Sequence, residues 1–508
     1  MTQIKTPSRP LTRLLVANRG EIAIRVLRAA ADLGMATVAV FSEDDATSLH
    51  IKQADIAVPL KGVGAGAYLD GAAIIAVAKA QGCDGIHPGY GFLSENAAFA
   101  AACAEAGLVF VGPSPQMLAL FGDKGSARDL AARLGVPLLA GVNRAVSLDE
   151  AKAFFAGQGA GGAMMIKALA GGGGRGMRVI TEADQIEAAF ERCASEAKAA
   201  FGDGGLYVER LIRRARHVEI QIIGDGDVVL ALGERECTLQ RQHQKLIEVA
   251  PSPSLTPSLR QRLVDAALNM AKACAYRSLG TFEFLVDADA DPDGLDAFAF
   301  IEANPRLQVE HTVTEAVTGL DLVALQLGVA GGQSLADLGL TPATVPTPRG
   351  YAIQLRVNME TMDALGHARP SSGTLSLFEP PSGPGVRVDS FGYAGFRPSP
   401  HFDSLLAKVI VSSASPHFDR AVAAASRALA QFRLEGVASN ISFLQSLLKR
   451  PELQSNQIYT RFIEENASSL LADQTSAPTA QYFAATATAA ASSASLASGP
   501  EGSLPLSA

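Results

Sequence analysis

The chain has 508 residues, 48% hydrophobic and 19% charged, with 43 Lys and Arg against 51 Asp and Glu for a net charge of −8. That apolar share buries a large core and excludes disorder as a description of the whole chain; at about 150 residues per domain the length predicts about three domains. The acidic balance argues against a nucleic-acid partner, and no apolar run reaches the ~18 residues a membrane helix needs.

The start, MTQIKTPSRP, lacks the apolar stretch of a secretion signal. The five cysteines are widely spaced with no CxxC pair, which argues against a zinc site or disulfide framework and leads us to expect a reducing cytoplasm. Residues 13–112 alternate apolar runs with helical patterns. LLVAN (14–18) reads as a strand, EIAIRVLRAAADLG (21–34) as a helix and ATVAVF (36–41) as a strand. A helix over about 70–81 precedes DGIHP (84–88). SENAAFAAACAEAG (94–107) opens on a capping Ser and closes on Gly, and LVFVG (108–112) ends the series. This alternation predicts a doubly wound parallel sheet, which binds ligands at the carboxyl ends of its strands.

A helical stretch over 123–135 leads into AMMIKALAGGGGRGMRVI (163–180), two strand candidates around a glycine run. Between 206 and 340 the period-2 runs VEIQIIG, VVLALGE, TFEFLVD and AFAFIEAN, with helices over 258–276 and 313–330, predict an antiparallel sheet with one covered face. TPATVPTPRG reads as a linker near 341–350, and 350–465 as a further α/β unit. From about 467 Ala and Ser dominate and Lys and Arg vanish, as in a flexible tail.

Three features carry chemistry. The run Gly171–Gly174 lets backbone N–H groups converge into an anion nest, and Lys167 ends the strand just before it; no GK[ST] follows, so this is not a Walker A loop. Glu283 lies between Phe282 and Phe284 but on the opposite face, while Glu302 and Asn304, two apart, face the same way. Two carboxylates and an amide oxygen make a hard oxygen site suited to Mg²⁺ with ATP phosphates. ERECTLQRQHQK (234–245) packs Arg235, Arg241, His243 and Lys245 together, and NPRLQVEH (304–311) adds Arg306, Glu310 and His311, a density that suits a phosphate or carboxylate site. Each feature has a plainer reading: a flexible loop, exposed strand carboxylates, a solvated charged face.

Taken in order, LLVANRGEIAIRVLRA, HPGYGFLSEN, FVGPSP, GDK, MIKALAGGGGRGM, RHVEIQ, GERECTLQRQHQKLIEVAPSP, GTFEFL, FIEANPRLQVEHTVTE, YAIQLRVN and HFDSLLAKVIV resemble the biotin carboxylase family, the ATP-grasp component of biotin-dependent carboxylases, over about 11–465. The resemblance implies an N-terminal α/β domain (11–123), an ATP-grasp domain (124–340) with a mobile glycine-loop lid at about 141–212, a C-terminal biotin carboxylase domain (349–465) and a tail (467–508). It implies that ATP phosphorylates bicarbonate to carboxyphosphate and that the carboxyl group passes to the ureido N1′ of biotin. Lys124 and Lys167 would hold ATP phosphates under Gly173 and Gly174; Glu209, Arg210, Leu211 and Ile212 would line the adenine; His217 and Gln240 would contact the nucleotide further along, and His243 its phosphates. Glu283 and Glu302, helped by Asn304, would bind Mg²⁺ or Mn²⁺. Lys245, Arg306 and the Gln308–Val309 backbone would hold bicarbonate, Glu310 would deprotonate it, and Arg356, with Asp403 nearby, would stabilise the biotin enolate.

Departures from the family pattern fall beside these residues: Leu169-Ala170 for Ser-Gly, Gln242 for Arg, Val249 for Glu, and a longer acidic stretch DADADPDGLD (287–296). No AMKM-type biotin-attachment motif occurs, so biotin is expected on another chain or on a part of a longer one, with a carboxyltransferase as further partner. VNMET after Arg356 favours an acyl-CoA carboxylase. Arg28, Asp32 and Arg387 match positions at which family members dimerise, although Pro384 stands where an aromatic is usual. The alternatives are a carbamoyl-phosphate or purine-pathway ligase, against which RLQVEH and QRQHQK speak, and a non-catalytic scaffold, against which the full set of metal carboxylates speaks. A Rossmann dehydrogenase is poorer still, since NRGEIA lacks GxGxxG.

Overall fold

The computed structural model describes residues 10–472 apart from 143, 160–161, 170–175 and 364–365. At the N-terminus the apolar runs pair as a parallel five-stranded sheet, in the order Ile56–Pro59, Ala36–Phe41, Arg13–Val16, Gly85–His87, Val109–Phe110. The sequence reading had missed Ile56–Pro59: it is an edge strand with alternating half-exposed residues, closed by a proline that edges tolerate. The helix Gly20–Asp32 buries Ile22, Val26 and Leu27. The helix expected from Ser94 begins instead at Ala97, capped by Asn96, whose side chain accepts from Phe99 N at 2.9 Å. Strand order reverses between Arg13–Val16 and Gly85–His87. There Asn18 ties the two following loops together, donating to Pro88 O at 2.6 Å and Tyr90 O at 2.8 Å.

Asp123 caps the next helix, Lys124–Arg133, and so places Lys124 at its first turn. A separate antiparallel sheet follows, in the order Gly141–Val142, Leu206–Arg210, Met164–Ala168, Met177–Ile180. The helices Leu148–Ala156 and Ile186–Phe201 pack against it through Ala151, Ile186, Cys193 and Ala197.

The body is one antiparallel sheet of eight strands: Phe298–Asn304, Arg277–Asp287, Ala215–Asp225, Val229–Arg241, Gln244–Ala250, Tyr351–Asn358, Leu405–Ser413 and Val386–Ser390. The first five come from the stretch before the linker and the last three from after it. Gln244–Ala250 pairs with Tyr351–Asn358 residue by residue, Glu248 opposite Gln354. Phe282, Phe284, Phe298 and Phe300 point to one face, where Leu259, Leu263 and Met270 of the helix Pro257–Ala273 cover them. Helices Phe418–Gln431 and Ile441–Lys449 cover the other end.

The helix expected over 313–330 is two helices, His311–Thr318 and Leu322–Ala330, bent by 102°. Gly319 at φ +77° ends the first with a left-handed cap, and the Asp321 side chain starts the second. Both are largely buried. Among the described residues no single helix is long and apolar enough to cross a membrane, and this bent pair alone passes by length and composition. The final helix, Phe462–Ala472, runs past the expected start of the tail at 467, with Ala467 and Leu470 buried; residues 473–508 lie outside the described part.

Candidate active site

The site grows from one cross-strand row. Register places Arg235, Glu219, Glu283 and Glu302 side by side on four adjacent strands. Because side chains alternate, Glu283 leaves Phe282 and Phe284 in the core and joins its neighbours on the opposite face, as the alternation predicts. Three carboxylates in a row repel one another; cations offset this. Arg235, fully buried, pairs with Glu219 and donates to Gln221 at 2.7 Å and Thr314 at 2.9 Å. Lys245 Nζ lies 2.6 Å from Glu219, 3.1 Å from Glu283 and 2.6 Å from Glu310. The Arg356 guanidinium lies 3.1 Å from Glu310 and 2.5 Å from Glu248.

These charges set the protonation states. Burial pushes the Glu310 carboxyl up, but Lys245, Arg356 and Arg235 outweigh it and hold its pKa well below the usual carboxylate range. Burial likewise opposes ionisation of Glu283, and Lys245 and His217 overcome it. For Glu219 burial prevails over Arg235, and its pKa is raised. Burial pulls the Lys245 ammonium down, yet the surrounding acids keep it charged, with a pKa well above normal.

Two residues after the Glu302 strand position, Asn304 donates to Glu283 at 2.8 Å. Arg306 donates to Asn304 at 3.0 Å and to Gln308 at 2.8 Å, and lies 3.3 Å from Glu95 beyond the N-terminal sheet. The carbonyls of Gln308 and Val309 are taken by His311 at 2.8 Å and Lys408 at 3.1 Å. Their N–H groups donate to nothing among the described residues and remain available to an anion. His217 lies 2.7 Å from Glu283, and Gln240 2.6 Å from His217. Thus Lys245, Arg306, Gln308, Val309, Glu310, Arg356, Glu283, Asn304, His217 and Gln240 converge.

The remaining expected residues surround this cluster. Glu302 pairs with the exposed Lys124 at 3.1 Å. Lys167 and the buried Glu209 form an ion pair within the separate four-stranded sheet. Arg210 is half-buried, 3.8 Å from both Asp287 and Asp296. Leu211 donates its N–H to Ala163, and Ile212 is buried with Leu139, Ala215 and Ala299; these residues link the four-stranded sheet to the large one. His243 sits at the tip of the hairpin between Val229–Arg241 and Gln244–Ala250. The two tip residues, Gln242 at φ +46° and His243 at φ +67°, take the left-handed conformation that a two-residue turn demands. Burial, with a smaller contribution from Lys167, lowers the His243 pKa. Asp403 is exposed and its carboxylate accepts from Leu405 N at 3.2 Å. Gly173 and Gly174 lie outside the described residues.

Sequence reasoning missed Glu219, Glu248 and Glu95. Glu219 had a signal: His217, Glu219 and Gln221 alternate with Val218, Ile220 and Ile222. Glu95 and Glu248 had none, since their partners are distant in sequence. The oxygen donors Glu283, Glu302 and Asn304 fit a hard divalent ion such as Mg²⁺ or Mn²⁺. Glu283 and Glu302 oppose each other in register, and cationic side chains already face both carboxylates.

Comparison with known proteins identifies the family. The chain matches three family models: "Biotin carboxylase, N-terminal domain" over 10–118, "Carbamoyl-phosphate synthase L chain, ATP binding domain" over 123–338, and "Biotin carboxylase C-terminal domain" over 354–465. It is 46% identical over 465 residues to the mitochondrial pyruvate carboxylase of Homo sapiens and 45% identical over 463 residues to the pyruvate carboxylase of Staphylococcus aureus, in each case over 90% of this chain. It spans only 38% and 39% of those proteins. Among solved structures, the biotin carboxylase domain of a single-chain bacterial carboxylase is 48% identical with a TM-score of 0.81, covering 92% of this chain and 99% of that one. A single-chain, multi-domain long-chain acyl-CoA carboxylase is 45% identical with a TM-score of 0.78, covering 91% of this chain and 43% of that one. The biotin carboxylase of Campylobacter jejuni is 36% identical with a TM-score of 0.83, covering 91% and 100%. With three family models matched in order over residues 10–465, the chain belongs to the biotin carboxylase family of ATP-grasp ligases.

Proposed function

We propose that this chain carboxylates the biotin of a carrier domain, using ATP and bicarbonate by way of carboxyphosphate, as the first half-reaction of an acyl-CoA carboxylase. The observation that carries the reading is Glu310 held between Lys245 and Arg356, beside the Glu283–Glu302 pair. Lys245, Arg306 and the free N–H groups of Gln308 and Val309 would receive bicarbonate. Glu310 then takes its proton, while the bicarbonate oxygen attacks the terminal phosphorus of ATP and ADP leaves. As the bicarbonate charge engages Lys245 and Arg306, the cationic hold on Glu310 weakens and its basicity rises towards what the proton transfer needs. A divalent ion on Glu283, Glu302 and Asn304 would supply charge neutralisation for the transferring phosphoryl group. Lys124, Lys167, Gly173 and Gly174 would hold and cover the phosphates. Glu209, Arg210, Leu211 and Ile212 would hold the adenine, with His217, Gln240 and His243 further along the nucleotide. Arg356, with Asp403 at the rim, would stabilise the biotin enolate.

The test is bicarbonate-dependent ADP release with Mg²⁺, with and without free biotin, beside Arg356→Ala and Glu310→Gln. Biotin-stimulated turnover lost in both variants supports the reading. ATP cleavage indifferent to biotin sinks it in favour of another ATP-grasp ligase. The acyl-CoA acceptor draws on the likeness to the long-chain acyl-CoA carboxylase. Pyruvate is the second reading, favoured by the named pyruvate carboxylases. Labelled bicarbonate supplied to the native complex, with its carrier and carboxyltransferase, decides by which acceptor becomes labelled. We also propose a homodimer through the charged hollow of about 600 Å³ lined by Arg25, Arg28, Asp32, Glu315, Asp321 and Arg387. Sedimentation giving only a 52.7 kDa species at micromolar concentration rejects it.

A further inference from the structure

Arg356 lies on the strand Tyr351–Asn358, and a buried carboxylate from the next strand reaches it. Glu248 is fully buried, and its Oε1 accepts from the Arg356 guanidinium at 2.5 Å. Its Oε2 accepts from Gln354 Nε2 at 3.0 Å, so both oxygens are committed. Gln354 Oε1 accepts from the Thr312 hydroxyl, and Gln354 and Thr312 are fully buried. Thr312 belongs to the helix His311–Thr318, whose N-cap residue is Glu310. Glu310 in turn accepts from Arg356 Nη2 at 3.1 Å. The contacts therefore close a ring: Glu310, the helix it caps, Thr312, Gln354, Glu248, Arg356 and back to Glu310. Among the described residues Arg356 Nη1 has no partner, which leaves one edge of the guanidinium for a ligand.

Burying a carboxylate is costly unless it is paired. Glu310 alone would neutralise Arg356, yet Glu310 is the group that must turn to substrate. An arginine held only by its catalytic neighbour would move with it. With a second anchor on a paired strand, the guanidinium keeps its place while Glu310 changes partner. We propose that Glu248, seated by Gln354 and Thr312, is the positioning residue that fixes the Arg356 guanidinium beside Glu310. This rests on the function proposed above for Arg356, and deepens it.

Glu248→Gln keeps the volume and removes the anchoring charge. A small misplacement of a reacting group costs up to about a hundredfold. The expected result is a fall in kcat for biotin-stimulated ADP formation of about tenfold to a hundredfold, with KM for ATP within about twofold. Biotin-independent ATP cleavage should be little changed. In the Arg356→Ala background, Glu248→Gln should add nothing, because the group it positions is gone. Retention of more than half the parent kcat, or losses that multiply in the double variant, overturns the proposal. A parent without biotin-stimulated turnover would instead sink the functional reading. The positioning claim is then judged by ¹⁵Nε NMR of the arginines, with Arg356→Lys assigning the resonance. A slowly exchanging Arg356 Nε–H in the parent that becomes fast in Glu248→Gln supports it, and an unchanged resonance refutes it. Thermal unfolding distinguishes a misfolded Glu248→Gln protein, and Gln354→Leu, which leaves the Glu248–Arg356 pair but unseats it, should show a smaller loss of the same kind.

Discussion

Replacing Lys245 by Met tests the electrostatic account of the cleft directly. The substitution keeps most of the side-chain volume and deletes one charge that touches Glu219, Glu283 and Glu310 at 2.6, 3.1 and 2.6 Å. Three buried carboxylates then share a cavity with Arg235, Arg356 and His217. Removing one partner of a buried ionic group costs about 3–5 kcal/mol, and a domain of 150–250 residues loses about 2–4 °C per kcal/mol, so the ATP-grasp transition should fall by roughly 6–20 °C at pH 8. The pH dependence is the sharper test. In the parent, Lys245 depresses Glu283 and Glu310, so their contribution to stability is complete above the unfolded carboxylate pKa of about 4.5 and is lost only as pH falls through the lower folded values. Without Lys245, burial and mutual repulsion push at least one of these carboxyls above its unfolded value. Such a group destabilises the fold at high pH, and that penalty fades as pH falls through its raised pKa. Melting curves of both proteins by circular dichroism, from pH 8 to pH 5.5, should show the gap between them narrowing with acid. A gap that stays constant or widens refutes the argument.

Three further outcomes follow from the same geometry. Gln242→Asn eases the positive φ of the hairpin tip and should raise stability by about 0.5–1 kcal/mol in denaturant titration, since Asn enters the left-handed region more readily. Gly350→Ala should abolish soluble expression or strongly lower the melting temperature, because φ is +66° there and an added Cβ would lie 1.9 Å from Ser413 O at the start of the strand Tyr351–Asn358. Glu302→Gln should raise the Mg²⁺ concentration for half-maximal ADP formation by about tenfold or more, and should free Lys124 from its 3.1 Å partner; an unchanged Mg²⁺ dependence would remove Glu302 from the metal site.

Local signals carried the parallel sheet and the strand alternation around Glu283. They failed where the deciding contact is remote. Residues 313–330 have the apolar content of one helix, but Gly319 and Asp321 break it so that each half covers a different surface. The density of charge in 234–245 suits a phosphate or carboxylate site, with a solvated face as its plainer reading; the fold buries Arg235 against Glu219 of the paired strand, and Arg241 against Glu360, which the sequence does not show. The row Arg235–Glu219–Glu283–Glu302 exists only once four strands are in register. Sequence spacing shows that Glu302 and Asn304 share a face; it does not show that Glu302 would oppose Glu283, because a bulge between Glu283 and Phe284 sets that match. Some residues implied by family resemblance, such as Lys245, Glu283, Glu310 and Arg356, come together, while Lys167, Glu209, Arg210, His243 and Asp403 lie around them; Glu248 and Glu95 required the fold.

The eight-stranded sheet has a mechanical consequence. Glu310 and Arg356 come from opposite sides of the 341–350 linker, but a hydrogen-bonded ladder between Gln244–Ala250 and Tyr351–Asn358 joins the two sides, so no hinge separates them. Stiffness is therefore unevenly shared: the floor of the cleft is a single plate, and the four-stranded sheet carrying Lys167 is outside that plate. A protease cut within 341–350 should leave two fragments that stay clasped and elute together. A chain ended at 340 would behave quite differently, since its amputated plate would present Gln244–Ala250 as a bare edge ready to recruit a strand from any neighbour.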